Sequence, residues 1–323
     1  MDNIAAIDLG FGWTKGVKGA ATWRQPSVLG EAKPLFEENV KPGDIIYEGE
    51  EGRFFVGNLA VRHSDVKYAS IKDSKAESWT TNVLLKTALG CLAPREGINL
   101  VTGLPIDFYF SQKDALNEML QQFNCGDYYK IDIAKEVTYT ARPTIRASKI
   151  VPQPLGSAMD YLLDDSGNFA RLDEAKKRIL VVDVGYFTLD LLVIDALEIN
   201  KKSCSPPELG VDTAYRLLQQ YLKEKLGKAP ARHELDYVVI SNEYEGYNVE
   251  PLVAKAFRAL ATQIQNEVES LNMNFNRCLI TGGAAPLIAH YLQIGDSYVL
   301  PDPQLANVRG YEKIGRRSWN GSR

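Results

Sequence analysis

The 323-residue chain has no long apolar run, little cysteine and little histidine. No run approaches the roughly 18 apolar residues that cross a bilayer, so we expect no membrane contact. Residues 1–4 lack the basic start and apolar core of a signal peptide, which predicts a cytoplasmic protein. With 45% hydrophobic and 24% charged residues, the composition excludes a largely disordered chain.

The cysteines are scattered and form no close pair. They are Cys91, Cys125, Cys204 and Cys278. A disulfide framework or a zinc ribbon needs paired spacing, so we predict buried free thiols in a reducing compartment. The three histidines, His63, His233 and His290, are equally isolated. Members of a Cys–His or Ser–His site need not be neighbours, so that alternative stays open.

The net charge is only −4, so the surface as a whole is not a nucleic-acid footprint, and no direct contact with nucleic acid is required. A local basic cluster near the end has no assigned role. It consists of Lys313, Arg316, Arg317 and Arg323. The pattern G-x-x-x-x-G-K-[ST] is absent, which excludes a P-loop nucleotide site.

Each half of the chain contains the same local unit. An apolar strand signal at residues 3–7 is followed by a turn, DLGFG, and a second strand at residues 13–18. About half a chain later, residues 178–194 repeat strand, turn (DVGYFT) and strand. Helical periodicity follows at residues 76–92, 113–123, 213–226 and 251–271. Strands that alternate with helices in both halves predict an α/β protein with two similar domains.

A glycine turn after a strand can bind an anion, because backbone N–H groups converge where no Cβ blocks the approach. One such turn is equally an ordinary hairpin. The dinucleotide fingerprint fails, because Lys15 replaces its last glycine and a strand follows. Two matching turns favour a polyphosphate clamped from both sides, with Asp8 and Asp183 holding Mg²⁺ through water. Lys15 can reach the phosphates as a point charge.

Five segments, in chain order, resemble the motifs of the actin, hexokinase and heat-shock chaperone ATPase superfamily. Residues 8–15 (DLGFGWTK) resemble the first phosphate motif, and residues 183–190 (DVGYFTLD) resemble the second. Residues 281–285 (TGGAA) resemble the adenosine motif, and residues 151–158 and 306–311 resemble the two connecting helices. Within the superfamily, the chain most resembles the bacterial plasmid-segregation actins of the ParM/StbA type.

The resemblance implies an actin-like fold, a ribonuclease H-like duplicated α/β architecture with a nucleotide cleft between two domains. Domain I is expected at residues 1–158, with a small insertion at about 31–75 and completion by residues 305–323. Domain II is expected at residues 159–304. The implied activity is slow hydrolysis of ATP, with GTP as an open alternative, in the presence of Mg²⁺. The implied partners are further copies of the chain, in dynamic filaments, and a DNA-bound adaptor protein of a plasmid partition system.

The resemblance also assigns site residues. Gln153 stands where the family orients the water that attacks the γ-phosphate; the ParM type usually has Glu here. Gln can orient water but cannot remove its proton, which fits slow hydrolysis, although a polar residue at the start of a helix is the alternative. Asp8 and Asp183 are the other expected catalytic and magnesium-binding residues. The implied nucleotide-binding residues are Gly10, Phe11, Gly12, Trp13, Thr14, Lys15, Gly185, Tyr186, Phe187, Thr188, Gly210, Asp212, Gly282, Gly283 and Ala284.

Several of these residues have structural alternatives. Phe11 and Trp13 can be core aromatics that flank the turn, Thr14 and Thr188 can be ordinary strand residues, and Asp212 can be a helix N-cap. Two other functions on the same fold also stay open. A sugar or small-molecule kinase needs a carboxylate base beside a substrate pocket, and no residue stands out as one. A chaperone-like or reactivating ATPase that never polymerises is the third hypothesis.

Overall fold

A computed structural model describes residues 3–69, 78–200 and 209–320; Cys204 and Arg323 lie outside them. The strands of the described residues are β1 Ile4–Leu9, β2 Trp13–Lys18, β3 Ala21–Pro26, β4 Val28–Glu31, β5 Ile45–Gly49, β6 Gly52–Val56, β7 Lys67–Ala69, β8 Gly97–Leu104, β9 Tyr129–Ile133, β10 Val137–Ala141, β11 Thr144–Pro152, β12 Arg178–Val184, β13 Leu189–Asp195, β14 Glu198–Asn200, β15 Glu243–Tyr244, β16 Tyr247–Asn248, β17 Arg277–Thr281 and β18 Ser297–Val299. The α-helices are α1 Asn58–His63, α2 Trp79–Leu92, α3 Ile106–Phe123, α4 Gln153–Leu162, α5 Leu172–Ala175, α6 Val211–Leu226, α7 Leu235–Ser241, α8 Glu250–Ser270, α9 Ala285–Ile288 and α10 Ala306–Asn320.

The chain folds into two compact units. Unit 1 comprises Met1–Leu172 and Leu305–Arg323, and unit 2 comprises Asp173–Gln304. Unit 1 contains a five-stranded sheet of order β11-β8-β1-β2-β3 and a six-stranded sheet of order β10-β9-β5-β6-β4-β7. Unit 2 contains a five-stranded sheet of order β14-β13-β12-β17-β18 and the small hairpin β15-β16.

The two five-stranded sheets have one topology. In unit 1, β1 is antiparallel to β2 and parallel to β8; in unit 2, β12 is antiparallel to β13 and parallel to β17. The repeated strand–turn–strand unit is therefore confirmed. Each first strand runs two residues further than predicted, to Leu9 and Val184, because the ladder continues through the pairs Asp8–Lys15 and Asp183–Asp190. Both aspartates consequently lie inside a strand rather than in the turn.

Helices cover both faces of the unit 1 sheet, which explains why every residue of β1 is buried. Apolar side chains of α2 and α3, such as Leu89 and Leu120, pack on one face. Val308 and Tyr311 of α10 pack on the other, together with Ala6 of β1. In unit 2, α6 and α8 pack on alternate residues of β12. Burial of apolar area on this scale is the main stabilising contribution to each sheet.

The helix predictions are confirmed in place but not always in length. The first begins at Trp79, and the second begins seven residues early, at Ile106. After the paired glycines, α9 is short: it ends at Ile288, and a single 3₁₀ turn follows. Short strands do occur in the predicted insertion. Their sheet is completed by β9 and β10 from much later in the chain, through pairs such as Ile45–Ile133.

Candidate functional site

Three predicted residues meet in unit 1 around the carboxylate of Asp8. This side chain is 2% exposed and lies on β1. Its Oδ2 accepts a hydrogen bond from Lys15 Nζ at 2.9 Å, and its Oδ1 accepts one from Gln153 Nε2 at 2.8 Å. The β1–β2 register brings Lys15 directly opposite Asp8. A cation and an amide thus compensate the burial of this charge.

The turn after β1 closes only with glycine at its first position. A Cβ on Gly10 would lie 2.5 Å from the carbonyl oxygen of Trp13. Ser27 secures the same turn, since its Oγ donates to the Gly10 carbonyl at 2.6 Å and its N–H donates to the Gly12 carbonyl at 2.9 Å. Ser27 was not anticipated from the sequence, because its partners lie in a different segment.

Two other side chains of the first motif, Phe11 and Thr14, are packed inward, whereas Trp13 is half-buried. Thr14 is fully buried, and its Oγ1 lies 2.9 Å from Ser27 Oγ. Because the Ser27 proton is used on Gly10, Thr14 is the donor in this pair. Phe11 is buried and makes an edge-to-face contact with Phe108, with ring centroids 6.2 Å apart. These side chains brace the turn and leave its backbone and Lys15 as the groups for an anion.

Gln153 is held at the start of α4 by a close helix crossing. The hydroxyl of Tyr311 on α10 donates to the Gln153 carbonyl at 3.4 Å. Asn307 Oδ1 accepts from both the N–H and the Oγ of Ser157, at 3.2 and 2.7 Å. Gly156 and Gly310 face each other where the helices cross, and a Cβ on Gly310 would collide with the Gly156 carbonyl. The two predicted connecting helices therefore pack together and position the Gln153 amide.

In unit 2, the second turn follows the strand that carries Asp183, as the first turn follows the strand that carries Asp8. Asp183, 7% exposed, lies on β12, and the N–H of Gly185 donates to the Thr188 carbonyl at 2.9 Å. Thr188 Oγ1 donates to Asp190 Oδ2 at 3.2 Å, so this hydroxyl stabilises the hairpin. The N–H groups of Val211 and Asp212 in α6 donate to the carbonyls of Gly185 and Tyr186, at 3.1 and 2.9 Å.

The glycines of the later motifs lie against this second turn. A Cβ on Gly210 would lie 2.5 Å from the Tyr186 carbonyl oxygen. Gly282 has φ +87°, and its Cβ would lie 2.7 Å from Asp183 Oδ1. A Cβ on Gly283 would meet nothing within 4 Å, so this backbone is open to a ligand, whereas Ala284 is fully buried. Unit 2 thus gathers the second phosphate motif, Gly210 and the adenosine motif at one sheet edge.

Asp212 and the aromatic residues of this turn have structural partners. Asp212 lies in the first turn of α6 and forms ion pairs with Arg232 and with Arg216, the latter at 3.3 Å. It does not act as the N-cap, which is Gly210. The Tyr186 ring meets Phe187 and Tyr215 edge to face, at 4.7 and 6.1 Å between centroids. Arg232 was not anticipated from the sequence.

The described cysteines and the described residues of the basic cluster are not part of these turns. Burial raises the pKa of the Cys91 and Cys278 thiols to about 12. Cys278 is buried as predicted and Cys91 is half-buried, but Cys125 is exposed, so the prediction of a buried thiol was wrong for it. Lys313 binds Asp160 Oδ1 at 2.9 Å, and the Arg317 guanidinium lies over the Phe169 ring at 4.5 Å. Most of the basic cluster therefore secures α10 within unit 1.

The duplicated sheets and their turns define the class: an actin-like two-domain protein, as the motif order predicted. Family models identify the family in both halves. The model of the N-terminal domain of actin-like proteins matches residues 6–156, and that of the C-terminal domain of an archaeal, MreB-like actin homologue matches residues 181–293. The two models together cover most of the chain, which has the actin-like two-domain fold.

Solved structures agree with this assignment. A 15-stranded ParM filament from Clostridium botulinum is similar over 98% of this chain and 100% of that one, with 24% identity and a TM-score of 0.77. An archaeal actin homologue in complex with ADP matches over 97% and 99%, with 18% identity and a TM-score of 0.77. Bacillus thuringiensis ParM with AMPPNP matches over 97% and 99%, with 15% identity and a TM-score of 0.69. At these identities the likeness establishes the fold. No curated protein matches the sequence.

In the part of the chain that the structure describes, no helix has the length and apolar character needed to cross a bilayer.

Proposed function

We propose that this chain is a nucleotide-dependent filament protein that binds Mg-ATP, hydrolyses it slowly and polymerises. One observation carries the proposal. Each of two sheets with the same topology places a buried aspartate at the same strand end, followed by a glycine turn. A duplicated structural hairpin does not require Lys15 beside the first aspartate, nor Gly282 against the second.

The residues present fit a magnesium-bound nucleotide. The carboxylates of Asp8 and Asp183 suit a hard cation, Lys15 suits phosphate oxygens, and the open backbone at Gly283 suits the nucleoside. Among the described residues, no group of three or more His, Cys, Asp or Glu side chains could hold a metal by itself. Mg²⁺ would therefore be held mainly by phosphate and water, where it neutralises charge on the phosphates.

Gln153 would act on water rather than on the nucleotide itself. Its Nε2 already donates to Asp8, so the amide has one defined orientation and keeps Oε1 as an acceptor for a water hydrogen. An amide positions a water without removing its proton, which supports slow hydrolysis. The likeness to a ParM filament supports polymerisation, and with it we propose plasmid segregation through a DNA-bound adaptor in the cytoplasm.

Sedimentation with simultaneous phosphate release tests the proposal. The purified chain, at tens of micromolar, is centrifuged with Mg²⁺ and ATP, GTP, ADP or no nucleotide. We expect polymer in the pellet with ATP, phosphate release that follows assembly, and loss of both when EDTA removes Mg²⁺. The absence of sedimentable polymer across nucleotides and salt concentrations would contradict the filament function. Phosphorylated sugar in a substrate screen would instead indicate the kinase.

A further inference from the structure

The two strand–turn–strand units share a topology but differ in charge. The second unit, residues 183–195, contains no lysine or arginine, and the residue that pairs with Asp183 in its ladder is a second aspartate, Asp190. The first unit and the strand that follows it, residues 8–26, contain three cations. They are Lys15, Lys18 and Arg24. Of the two turns, only the first therefore has cations within its own strands that can serve a phosphate chain.

The ladder decides which of these cations share a face with Asp8. Lys15 on β2 lies directly opposite Asp8, and Arg24 on β3 lies directly opposite Lys15. Directly opposite residues project from the same face of a sheet, and neighbouring strands are about 4.8 Å apart. Asp8, Lys15 and Arg24 therefore form one row across three strands, with Arg24 one strand beyond Lys15.

The packing of β3 agrees with this orientation. Trp23, the residue before Arg24, is half-buried and packs against an apolar cluster that includes Leu89 of α2. Arg24 projects from the opposite face and is exposed. Lys18 lies an odd number of residues from Lys15, so it projects from the Trp23 face, where its Nζ donates to Glu96 at 2.9 Å. Of the three cations, Lys15 and Arg24 are thus the two on the Asp8 face.

Lys15 reaches the turn but shares its charge. Its Nζ lies 2.9 Å from Asp8 Oδ2 and 3.6 Å from the position that a Cβ on Gly10 would occupy. The ammonium is therefore beside the glycine turn, and its charge is largely balanced by the buried carboxylate. A phosphate chain at this turn brings further negative charge, which a second cation in the same row can neutralise.

We propose that Arg24 is a second phosphate-binding residue, which contacts the phosphate chain of the nucleotide beside Lys15. A guanidinium can donate two parallel hydrogen bonds to phosphate oxygens, whereas the Lys15 ammonium acts as a point charge. This inference rests on the proposed function, and it adds to the site a residue outside the motif at residues 8–15. The contact involves unit 1 alone, because Asp8, Lys15 and Arg24 all belong to one sheet.

Loss of the Arg24 charge tests the assignment. The affinity for Mg²⁺ with AMPPNP, an ATP analogue that resists hydrolysis, is titrated at protein concentrations too low for assembly. Arg24→Gln should raise the Kd about tenfold, because a charge-assisted contact with phosphate is lost. Lys18→Gln is the matched control. It removes the same charge from the other face of the same strands and should leave the Kd unchanged.

Ionic strength separates a phosphate contact from an effect on the fold. Salt screens the attraction between a cation and phosphate, so the ratio of the Arg24→Gln Kd to the wild-type Kd should fall as salt is added. An unchanged Kd in Arg24→Gln, an equal rise in Lys18→Gln, or a ratio that stays constant with salt would overturn this inference alone. Failure of the wild-type protein to bind AMPPNP would contradict the proposed function with it.

Discussion

At the scale of single residues, the buried charge of Asp8 determines what surrounds it. A carboxylate that is 2% exposed is costly unless it is paired, and here Lys15 and Gln153 each occupy one oxygen. The same two groups are those that a phosphate and a water would need. The residues that stabilise the fold around Asp8 are therefore also the ones expected to act on a bound nucleotide.

Gln153→Met tests the role of the amide in hydrolysis; it also removes the hydrogen bond to Asp8, so the melting temperature should fall as well. Methionine has nearly the volume of glutamine, so the buried site stays filled while the amide is lost. We expect hydrolysis about 100-fold slower, with the affinity for ATP nearly unchanged, because a water-orienting group contributes to the rate and little to binding. Single-turnover phosphate release and nucleotide titration measure the two effects. An unchanged rate would remove Gln153 from its role.

The glycines of the two halves should respond differently to alanine. Gly10→Ala drives a Cβ into the Trp13 carbonyl oxygen, so we expect a lower melting temperature, at a cost of about 1–3 kcal/mol. Gly283→Ala adds a methyl group to open space and should leave the melting temperature unchanged while it weakens ATP binding. Thermal unfolding without nucleotide, followed by titration, distinguishes them. If Gly283→Ala binds ATP as tightly as wild type, the nucleoside does not approach that backbone.

Functional residues that lie at a fixed spacing within one motif could be predicted from the sequence. The residues that hold them in place could not. Asp8, Lys15 and Gly10 lie within one short motif, and the structure brings the first two into contact. Ser27 and Arg232 act on groups well outside their own segments, Ser27 on the turn after β1 and Arg232 on Asp212. A side chain whose partner comes from another element has no local signature, because the contact exists only once the chain is folded.

At the scale of elements, local periodicity predicted which segments are helices and strands, while pairing decided their extent. β1 and β12 run further than their apolar runs because the ladder carries two more residues, including the aspartates. The insertion sheet is a stronger case. Its strands β5 and β9 are separated by α2, β8 and α3, so no sequence pattern indicates that they pair.

Lys86 of α2 joins that insertion sheet to the rest of unit 1, and its loss should be costly. Its side chain is only 5% exposed, and Nζ lies 2.7 Å from both Glu50 and Glu51. The Tyr47 hydroxyl donates to Glu51 at 2.5 Å. Lys86→Met leaves the half-buried Glu51 carboxylate without its cation, so we expect a loss of about 2 kcal/mol in the free energy of unfolding at neutral pH. Urea unfolding measures it.

The pH dependence of that loss has a defined sign. Burial alone would raise the pKa of Glu51, but hydrogen bonds from Lys86 and Tyr47 hold this pKa below its usual value. The stabilisation is therefore present above about pH 4.3, the unfolded pKa of a glutamate, and is lost as the pH falls through the folded value. The difference between Lys86→Met and wild type should shrink in acid. Lys33→Met, which breaks an exposed pair with Asp65, is the control and should change the stability little at either pH. A difference that stays constant in acid would contradict the assignment to Glu51.

At the scale of the whole molecule, the duplication could be predicted because the same turn occurs twice in the sequence. Each copy is built by its own unit: Asp8, Lys15 and Gln153 in unit 1, and Asp183, Gly185 and Gly282 in unit 2. If one nucleotide is bound by both sets, a change in either unit must be detectable in the other. Such an effect of one unit on the other distinguishes a ligand bound by both sets of residues from two hairpins that act independently.

The tryptophans allow that consequence to be measured. All four, Trp13, Trp23, Trp79 and Trp319, belong to unit 1, so melting followed by tryptophan fluorescence reports on unit 1 alone. A ligand at 100 times its Kd stabilises the protein by about 2.7 kcal/mol, which should raise this transition by several degrees in wild type with Mg-ATP. Asp183→Asn, a change confined to unit 2, should abolish this rise in melting temperature. The control Asp195→Asn, at the end of β13 that lies away from the turn, should preserve it. A full rise in Asp183→Asn would mean that unit 1 binds the nucleotide by itself, because a ligand held by both units cannot lose one aspartate and stabilise the other unit as before.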